Sequence, residues 1–149
     1  MSNNPLADIT HDIFFDAPLD HAWKTLTDPD HVSQWFGCLQ YTGKLGDVFY
    51  MQPNPELRGK GDIAGATYCE ILKLDAPDHF VFSWYVPGTP KTEVSIRLQD
   101  VGEKRTKAML VHSGWDQFPA EDVRHFWEQL ANGWKSHVLP NLKAAAEAG

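Results

Sequence analysis

Residues 92–99, Thr-Glu-Val-Ser-Ile-Arg-Leu-Gln, alternate apolar or β-branched side chains with polar ones along their whole length. Because successive side chains of a β-strand point to opposite faces, this alternation predicts a strand with one buried and one solvated face. A turn sequence rich in Pro and Gly precedes the stretch, and Asp100–Lys104 follows it with Gly102 inside the turn. One-sided strands joined by such short connections are typical of an antiparallel meander.

The neighbouring segments extend this meander on both sides. Three further strands are predicted, over residues 66–74, 79–86 and 105–112. The faces taken as inward carry Tyr68, Glu70, Leu72 and Leu74 on the first, Phe80, Phe82 and Trp84 on the second, and Thr106, Ala108, Leu110 and His112 on the third. Residues 45–52 can add a strand, and residues 53–65, with two Pro and three Gly, are predicted to be a loop.

Helical signals flank the strands. A first strand over residues 8–16 is followed by Pro18 and by Asp28-Pro29, and each Pro suits the start of a short helix. Near the C-terminus, Trp127, Leu130 and Trp134 recur at steps of three or four residues. This period predicts a helix over residues 119–146, about 40 Å long, and Pro140 should bend it or begin a new turn. We therefore expect one α+β domain over residues 1–149, with its helices on one side of a curved antiparallel sheet.

Composition excludes several classes of partner. The chain has 149 residues, with 13 Lys and Arg against 20 Asp and Glu, and it contains no basic run. Nucleic acids and anionic membranes are bound by clustered Lys and Arg, so neither is expected as a partner. No apolar stretch approaches the 18 residues of a membrane span, and the N-terminus does not resemble a signal peptide. With only Cys38 and Cys69 as cysteines, we expect reduced thiols in the cytoplasm.

Recognisable catalytic and metal-binding motifs are missing from the sequence. It contains no HxH, HExxH or CxxC spacing, so no metal and no cofactor are expected. His112, Ser113 and Asp116 look like a triad only along the chain, because adjacent residues of a strand point to opposite faces. GxSxG, P-loop and GxGxxG motifs are also absent.

Several segments together resemble the AHSA1-like branch (activator of Hsp90 ATPase homologue 1-like) of the START-related SRPBCC superfamily. They are Ile13–Pro18, Ala22-Trp23, Thr27–Pro29, Trp35-Phe36, Gly46–Phe49, Glu70–Pro77, Phe82–Trp84, Thr106, His112–Trp115, Gly133-Trp134 and Leu139–Leu142. Their order covers nearly the whole chain. The resemblance implies a helix-grip fold, in which a curved antiparallel sheet holds a long C-terminal helix and a cavity lies between them.

Eighteen aromatic residues, 12% of the chain, suit either a filled core or the walls of such a cavity. With the fold that the resemblance implies, we favour a cavity that binds a small hydrophobic or aromatic molecule. The residues expected to line it are Trp35, Phe36, Tyr68, Glu70, Phe82, Trp84, His112, Trp115, Trp127 and Trp134.

Two other functions stay open at this point. Glu70 and His112, both taken as facing inward, could act as acid and base in a cyclase, dehydratase or hydrolase; each is also a plausible structural core residue. The family's name suggests an Hsp90 co-chaperone. The eukaryotic activators carry a separate chaperone-binding domain for which 149 residues leave no room, so we expect no Hsp90 stimulation. The sequence also leaves open whether the protein forms a homodimer.

Overall fold

A seven-stranded antiparallel sheet forms the body of the protein. The computed structural model describes residues 8–32, 35, 38–52, 54–86, 90–115 and 120–148. Its strands are β1 (Ile9–Phe15), β2 (Cys38–Leu39), β3 (Val48–Met51), β4 (Thr67–Asp75), β5 (His79–Trp84), β6 (Thr92–Gly102) and β7 (Arg105–Ser113). They lie in the order β1-β7-β6-β5-β4-β3-β2. The predicted meander is confirmed, since the run from β2 to β7 pairs each strand with the next.

The helices are α1 (Leu19–Thr27), α2 (Pro29–Val32), α3 (Pro55–Gly59), α4 (Ala120–Gly133) and α5 (Leu139–Ala148). The two short helices after the first strand are confirmed. Asp28 precedes α2 as predicted, and its carboxylate accepts a hydrogen bond of 2.8 Å from the backbone N–H of Asp30. Among the described helices, none has the length and apolar character needed to span a membrane.

The C-terminal helix changes its winding just before the proline. Trp134–Val138 form a π-helical segment between α4 and α5, and the N–H of Leu139 bonds the carbonyl of Trp134, five residues back. The bend predicted at Pro140 therefore takes the form of a wider turn. Pro140 has no N–H to donate, and its ring would crowd the carbonyl of Ser136 in a regular α-helix, so a local change of winding removes the conflict.

The core lies between the inner face of the sheet and the helices. Its most deeply buried side chains include Phe15, Leu26, Phe49, Ile71, Phe80, Phe82, Ile96, Leu110, Trp115, Trp134 and Leu142. No Asp, Glu, Lys or Arg is buried in the described part of the chain. The inner face of the described sheet is thus apolar, apart from threonines and histidines.

Strand β4 presents the opposite face from the one predicted over its first half. Cys69 and Ile71 are buried, whereas Tyr68 and Glu70 are only partly buried. The register shifts between Ile71 and Lys73, so that Ile71 pairs with Phe82 but Leu74 pairs with Phe80. This β-bulge adds one residue, and alternation counted back from the inward Leu74 therefore assigns Tyr68 and Glu70 to the wrong face.

The loop predicted over residues 53–65 contains the short helix α3. Asn54 caps this helix, since its side-chain oxygen accepts hydrogen bonds from the N–H groups of Glu56 at 2.9 Å and Leu57 at 3.2 Å. Pro55 occupies the first helical position. The Asn-Pro pair was a helix-start signal, but the flanking Pro and Gly residues favoured a loop.

Candidate functional site

His112 lies at the centre of the inner aromatic cluster. It is the last inward residue of β7 and is fully buried. The indole N–H of Trp134 donates to its Nδ1 at 3.1 Å, and Nε2 lies 2.7 Å from the hydroxyl of Thr92. The indole N–H of Trp115 donates to the backbone carbonyl of His112 at 2.9 Å.

These contacts assign the proton on the imidazole. An indole nitrogen can only donate, so Nδ1 of His112 is the acceptor and Nε2 carries the proton of the neutral ring. Nε2 then donates to the hydroxyl of Thr92, which in turn donates to the carbonyl of Trp84 at 2.7 Å. The chain of donors runs from Trp134 through His112 and Thr92 to Trp84. Both ring nitrogens are therefore occupied.

The charge state of His112 follows from this burial. Removal from water lowers the pKa of the imidazole from 6.5 to about 3, because the charged form loses its hydration. The ring is neutral at physiological pH. A neutral imidazole with both nitrogens engaged is a structural group rather than a general base.

Aromatic rings surround the imidazole. Trp84 lies 5.6 Å from the His112 ring centroid, Trp115 4.7 Å and Trp134 6.1 Å. The ring centroids of Trp84 and Trp134 are 5.5 Å apart, so a tryptophan of the sheet meets one of the long helix. Phe82 lies on the same face, 5.5 Å from Phe49. The described inner wall is built from rings in mutual contact.

The other expected lining residues are spread along the inner side. Trp35 is buried, and its indole N–H donates to the carbonyl of Thr25 in α1 at 2.9 Å. Trp127, on α4, is partly buried against the core. Phe36 lies outside the described residues. The structure thus brings Trp84, His112, Trp115 and Trp134 into one cluster.

Tyr68 and Glu70 do not belong to this wall. Both lie on the outer face of β4, where the Tyr68 ring is 4.9 Å from Tyr50 and 5.7 Å from Tyr85. Glu70 is separated from His112 by the sheet itself. The hypothesis that Glu70 and His112 act on one substrate as acid and base is therefore wrong, since general acid–base catalysis needs both groups within reach of the same molecule.

Thr92 is the residue of the cluster that sequence reasoning did not single out. It was expected on the inward face of β6, and it is buried there. Its hydroxyl completes the hydrogen bonding of His112, a role that alternation cannot show because it depends on β5 and β7 lying on either side of β6. The strand pairings bring Thr92 opposite Trp84 and place His112 beside it, opposite Val94.

Both cysteines are free thiols held in their protonated form. Cys69 is buried in the core, and Cys38 is partly buried in β2. Desolvation raises the pKa of Cys38 to about 11 and that of Cys69 well above its ordinary value, so neither is a nucleophile at neutral pH. Within the described residues, no three His, Cys, Asp or Glu side chains gather as metal ligands would.

The fold and the aromatic inner wall define the class of the protein, a helix-grip domain with a curled antiparallel sheet against a C-terminal helix. Residues 16–147 match the family described as Activator of Hsp90 ATPase homolog 1-like protein. The chain belongs to this AHSA1-like family. No curated protein is similar enough in sequence to be counted as a match.

Solved structures with the same fold come from several sources. DynU16, a putative protein in the dynemicin biosynthetic locus, aligns over 97% of this chain and 49% of its own, with 24% identity and a TM-score of 0.74. Protein BH1534 of Bacillus halodurans aligns over 95% of this chain and 98% of its own, with 24% identity and a TM-score of 0.69. The Aha1 dimer of Colwellia psychrerythraea has 21% identity, 97% and 98% coverage, and a TM-score of 0.71.

These likenesses concern the fold. All three identities lie below 25%. The chain spans about half the length of the DynU16 chain. Activities and partners of these proteins do not transfer through the fold alone.

Proposed function

We propose that this protein binds a small hydrophobic or aromatic molecule between the inner face of its sheet and the C-terminal helix, without a catalytic step. The observation that carries the proposal is the uncharged wall formed by Trp84, Trp115 and Trp134. Rigid rings with a few fixed polar groups are typical of sites for apolar ligands. Such a ligand would pack against indole faces and would need no charged partner.

Membership of the AHSA1-like family supports this proposal through its fold, in which sheet and helix face each other across an interior. The hydrogen-bonded His112 supports it in a second way. Because the imidazole is fixed and neutral, the wall keeps its shape and its apolar character over the physiological pH range. A fixed wall lowers the entropic cost of binding a rigid ligand.

Indole N–H signals in ¹H–¹⁵N NMR spectra test the proposal directly. We expect the Trp115 and Trp134 signals to shift during titration with a fused-ring aromatic probe such as 1-anilinonaphthalene-8-sulfonate, and the midpoint of thermal unfolding to rise. Tryptophan fluorescence should be quenched in the same concentration range. Absence of any saturable response across a panel of uncharged and anionic aromatic compounds would contradict the proposal.

A matched pair of variants separates the ligand site from the rest of the core. Trp127 and Trp23 are both partly buried against the core, but only Trp127 lies on the helix that faces the proposed ligand. We expect Trp127→Ala to weaken binding of the probe at least about fivefold, roughly 1 kcal/mol. Trp23→Ala should leave the affinity unchanged. Equal losses in both variants would indicate a general effect on folding.

We place the protein in the cytoplasm, where its free thiols stay reduced. One solved structure with this fold, 18% identical to this chain, is that of an HSP90 activator from Plasmodium falciparum. Because fold likeness does not carry partner binding, we expect the purified chain to leave Hsp90 ATPase activity unchanged. A homodimer is suggested by the dimeric Colwellia relative, and light scattering on the eluted protein tests it.

A further inference from the structure

The outer face of the sheet carries a polar pocket. It has a volume of about 300 Å³. Its lining comes from four neighbouring strands and the residues next to them: Glu70, Leu72, Ser83, Lys91, Thr92, Glu93, Ser113 and Gly114. This pocket is on the opposite side of the sheet from the aromatic wall.

Strand register explains how the pocket forms. Ser83 pairs with Glu93, and Glu93 pairs with Ser113, while the backbone N–H of Glu70 donates to the Ser83 hydroxyl at 2.9 Å. Side chains directly opposite each other in an antiparallel sheet lie on the same face, about 5 Å apart. Long glutamates therefore alternate with short serines across the four strands. The short serines leave a hollow between the two carboxylates.

The two pocket carboxylates differ from the other acids of this sheet surface. Asp12 lies 3.6 Å from Lys107, Asp16 3.0 Å from Arg105, and Asp75 3.6 Å from Lys73. Among the described residues, neither Glu70 nor Glu93 has a basic group within 4.0 Å or a hydrogen bond to its carboxylate. Within the described residues, two carboxylates thus face one hollow and neither is in an ion pair.

A buried hydroxyl points to the same hollow. Ser83 is only 4% exposed, and its oxygen accepts the Glu70 N–H, so the hydroxyl proton remains for an acceptor outside the described contacts. Ser113, at the other end of the row, has an unused hydroxyl in the described part of the chain. Buried polar groups are normally satisfied, so a hydroxyl group on the ligand that accepts from Ser83 would strengthen binding beyond what the ammonium groups supply.

The lining selects the chemical class of the ligand. The carboxylates outnumber the single ammonium group of Lys91, whose Nζ sits 5.1 Å from the centroid of the Tyr85 ring, so a cation is favoured over an anion. Because no third acidic or histidine side chain completes a metal site in the described residues, an organic cation fits better than a divalent metal ion. Leu72 offers an apolar wall for a carbon chain.

We infer that this outer pocket binds a small organic amine, with ammonium groups on the carboxylates of Glu70 and Glu93 and a short hydroxylated or alkyl chain between them. The pocket volume lies at the lower end of the range for small-molecule sites, which suits an amine with a short chain. The two glutamates are two strands apart, about 10 Å between backbones, so their flexible side chains can reach both ends of a short diamine.

NMR titration with 1,4-diaminobutane tests this inference, because it reports both faces of the sheet at once. We expect saturable shifts of the backbone amide signals of Glu70, Ser83, Ser113 and Gly114. The indole signals of Trp115 and Trp134 should stay in place, which separates this site from the proposed aromatic ligand site. Sodium chloride should weaken binding, since it screens exposed charges.

Charge variants decide whether the carboxylates are the binding groups. We expect the double variant Glu70→Gln/Glu93→Gln to weaken 1,4-diaminobutane binding at least tenfold, and Glu128→Gln, an exposed site on α4, to change it less than twofold. Butane-1,4-diol, which has the same length without the charges, should not bind. Retained indole signals in the double variant show that it is folded.

Four outcomes would overturn the inference. They are the absence of saturable shifts at the outer amides, equal loss of binding in Glu128→Gln, tighter and saturable binding of Ca²⁺ or Mg²⁺ at the same amides, and binding of butane-1,4-diol with similar affinity. Shifts confined to the indole signals are a case of the first outcome, because the amine would then occupy the inner side. The shifts of the outer amides do not depend on whether an aromatic molecule binds on the inner side. The two proposals can therefore fail independently.

Discussion

The inner and outer faces of the central strands are built from the same backbone but differ in how their polar groups are satisfied. Along β6, Thr92 and Val94 point inward, while Glu93 and Ser95 point outward. On the inner face, the hydroxyl of Thr92 is tied into a closed chain of hydrogen bonds. On the outer face, Glu93 borders a pocket. Polar groups buried on the inner face need hydrogen-bond partners within the protein. Polar groups on the outer face can bond to water instead.

Two histidines illustrate the same difference. His112 on the inner face is fully buried and engages both ring nitrogens. His79 on the outer face is 9% exposed, and among the described residues its ring has one hydrogen-bond partner, the Ser95 hydroxyl at 2.9 Å from Nε2. The inner ring is part of the core packing, whereas the outer ring is held at the surface of a sheet.

Replacement of His112 should be the most damaging change. His112→Ala removes a buried ring and leaves the indole N–H of Trp134 without its acceptor, so we expect the free energy of unfolding to fall by about 4 kcal/mol. His79→Ala, the matched change on the outer face, should cost about 1 kcal/mol. Urea unfolding of both variants measures the difference, and equal losses would contradict the contrast between the faces.

Stability should also depend on pH through His112. The unfolded ring takes up a proton below its ordinary pKa of 6.5, whereas the folded ring stays neutral down to a pKa of about 3. Its contribution is therefore fully present above pH 6.5 and is lost as the pH falls toward 3. Between pH 7 and pH 5 we expect a loss of about 2 kcal/mol.

A variant that lacks the imidazole isolates this effect from other titrating groups. His112→Asn should show a decrease between pH 7 and pH 5 that is smaller by about 2 kcal/mol than that of the parent protein. Desolvation, followed by Arg97 and Lys73, also lowers the pKa of His79, so part of the pH dependence should persist in this variant. An unchanged pH dependence in His112→Asn would assign the whole effect to other groups.

Removal of one hydroxyl should have a smaller effect. Thr92→Val keeps the shape of the side chain but leaves the Nε2 proton of His112 without an acceptor, and we expect a loss of about 1–2 kcal/mol in free energy of unfolding. Thr10→Val on the exposed outer face of β1 is the control and should change it by less than about 0.5 kcal/mol. Similar losses of unfolding free energy in the two variants would show that the hydrogen bond between His112 and Thr92 does not stabilise the inner face.

The outer pocket should contribute least to stability. Glu93→Gln removes a charge that has no partner in the described contacts, so we expect the free energy of unfolding to change by less than about 0.5 kcal/mol. The same measurement in 1,4-diaminobutane should show stabilisation of the parent protein and not of the Glu70→Gln/Glu93→Gln variant. A loss above about 1 kcal/mol without ligand would indicate that Glu93 is structural.

Much of the fold could be predicted from strand alternation and helix-start residues. The meander, the two short helices and the long C-terminal helix follow from local patterns that burial enforces along each element. The inward faces of β5, β6 and β7 were predicted for the same reason. The face of β4 was not, because the bulge between Ile71 and Lys73 shifts the alternation by one residue without a clear mark in the sequence.

Local residue patterns specify which side chains are apolar and how they alternate, and hence which faces of the strands and helices are buried. Which polar groups meet depends on how the whole chain packs. Thr92, His112 and Trp134 come from β6, β7 and the C-terminal helix, and Glu70, Ser83 and Glu93 come from three strands of one sheet. Periodicity acts along a single element, whereas hydrogen bonds between elements depend on register and packing, which the whole folded chain sets.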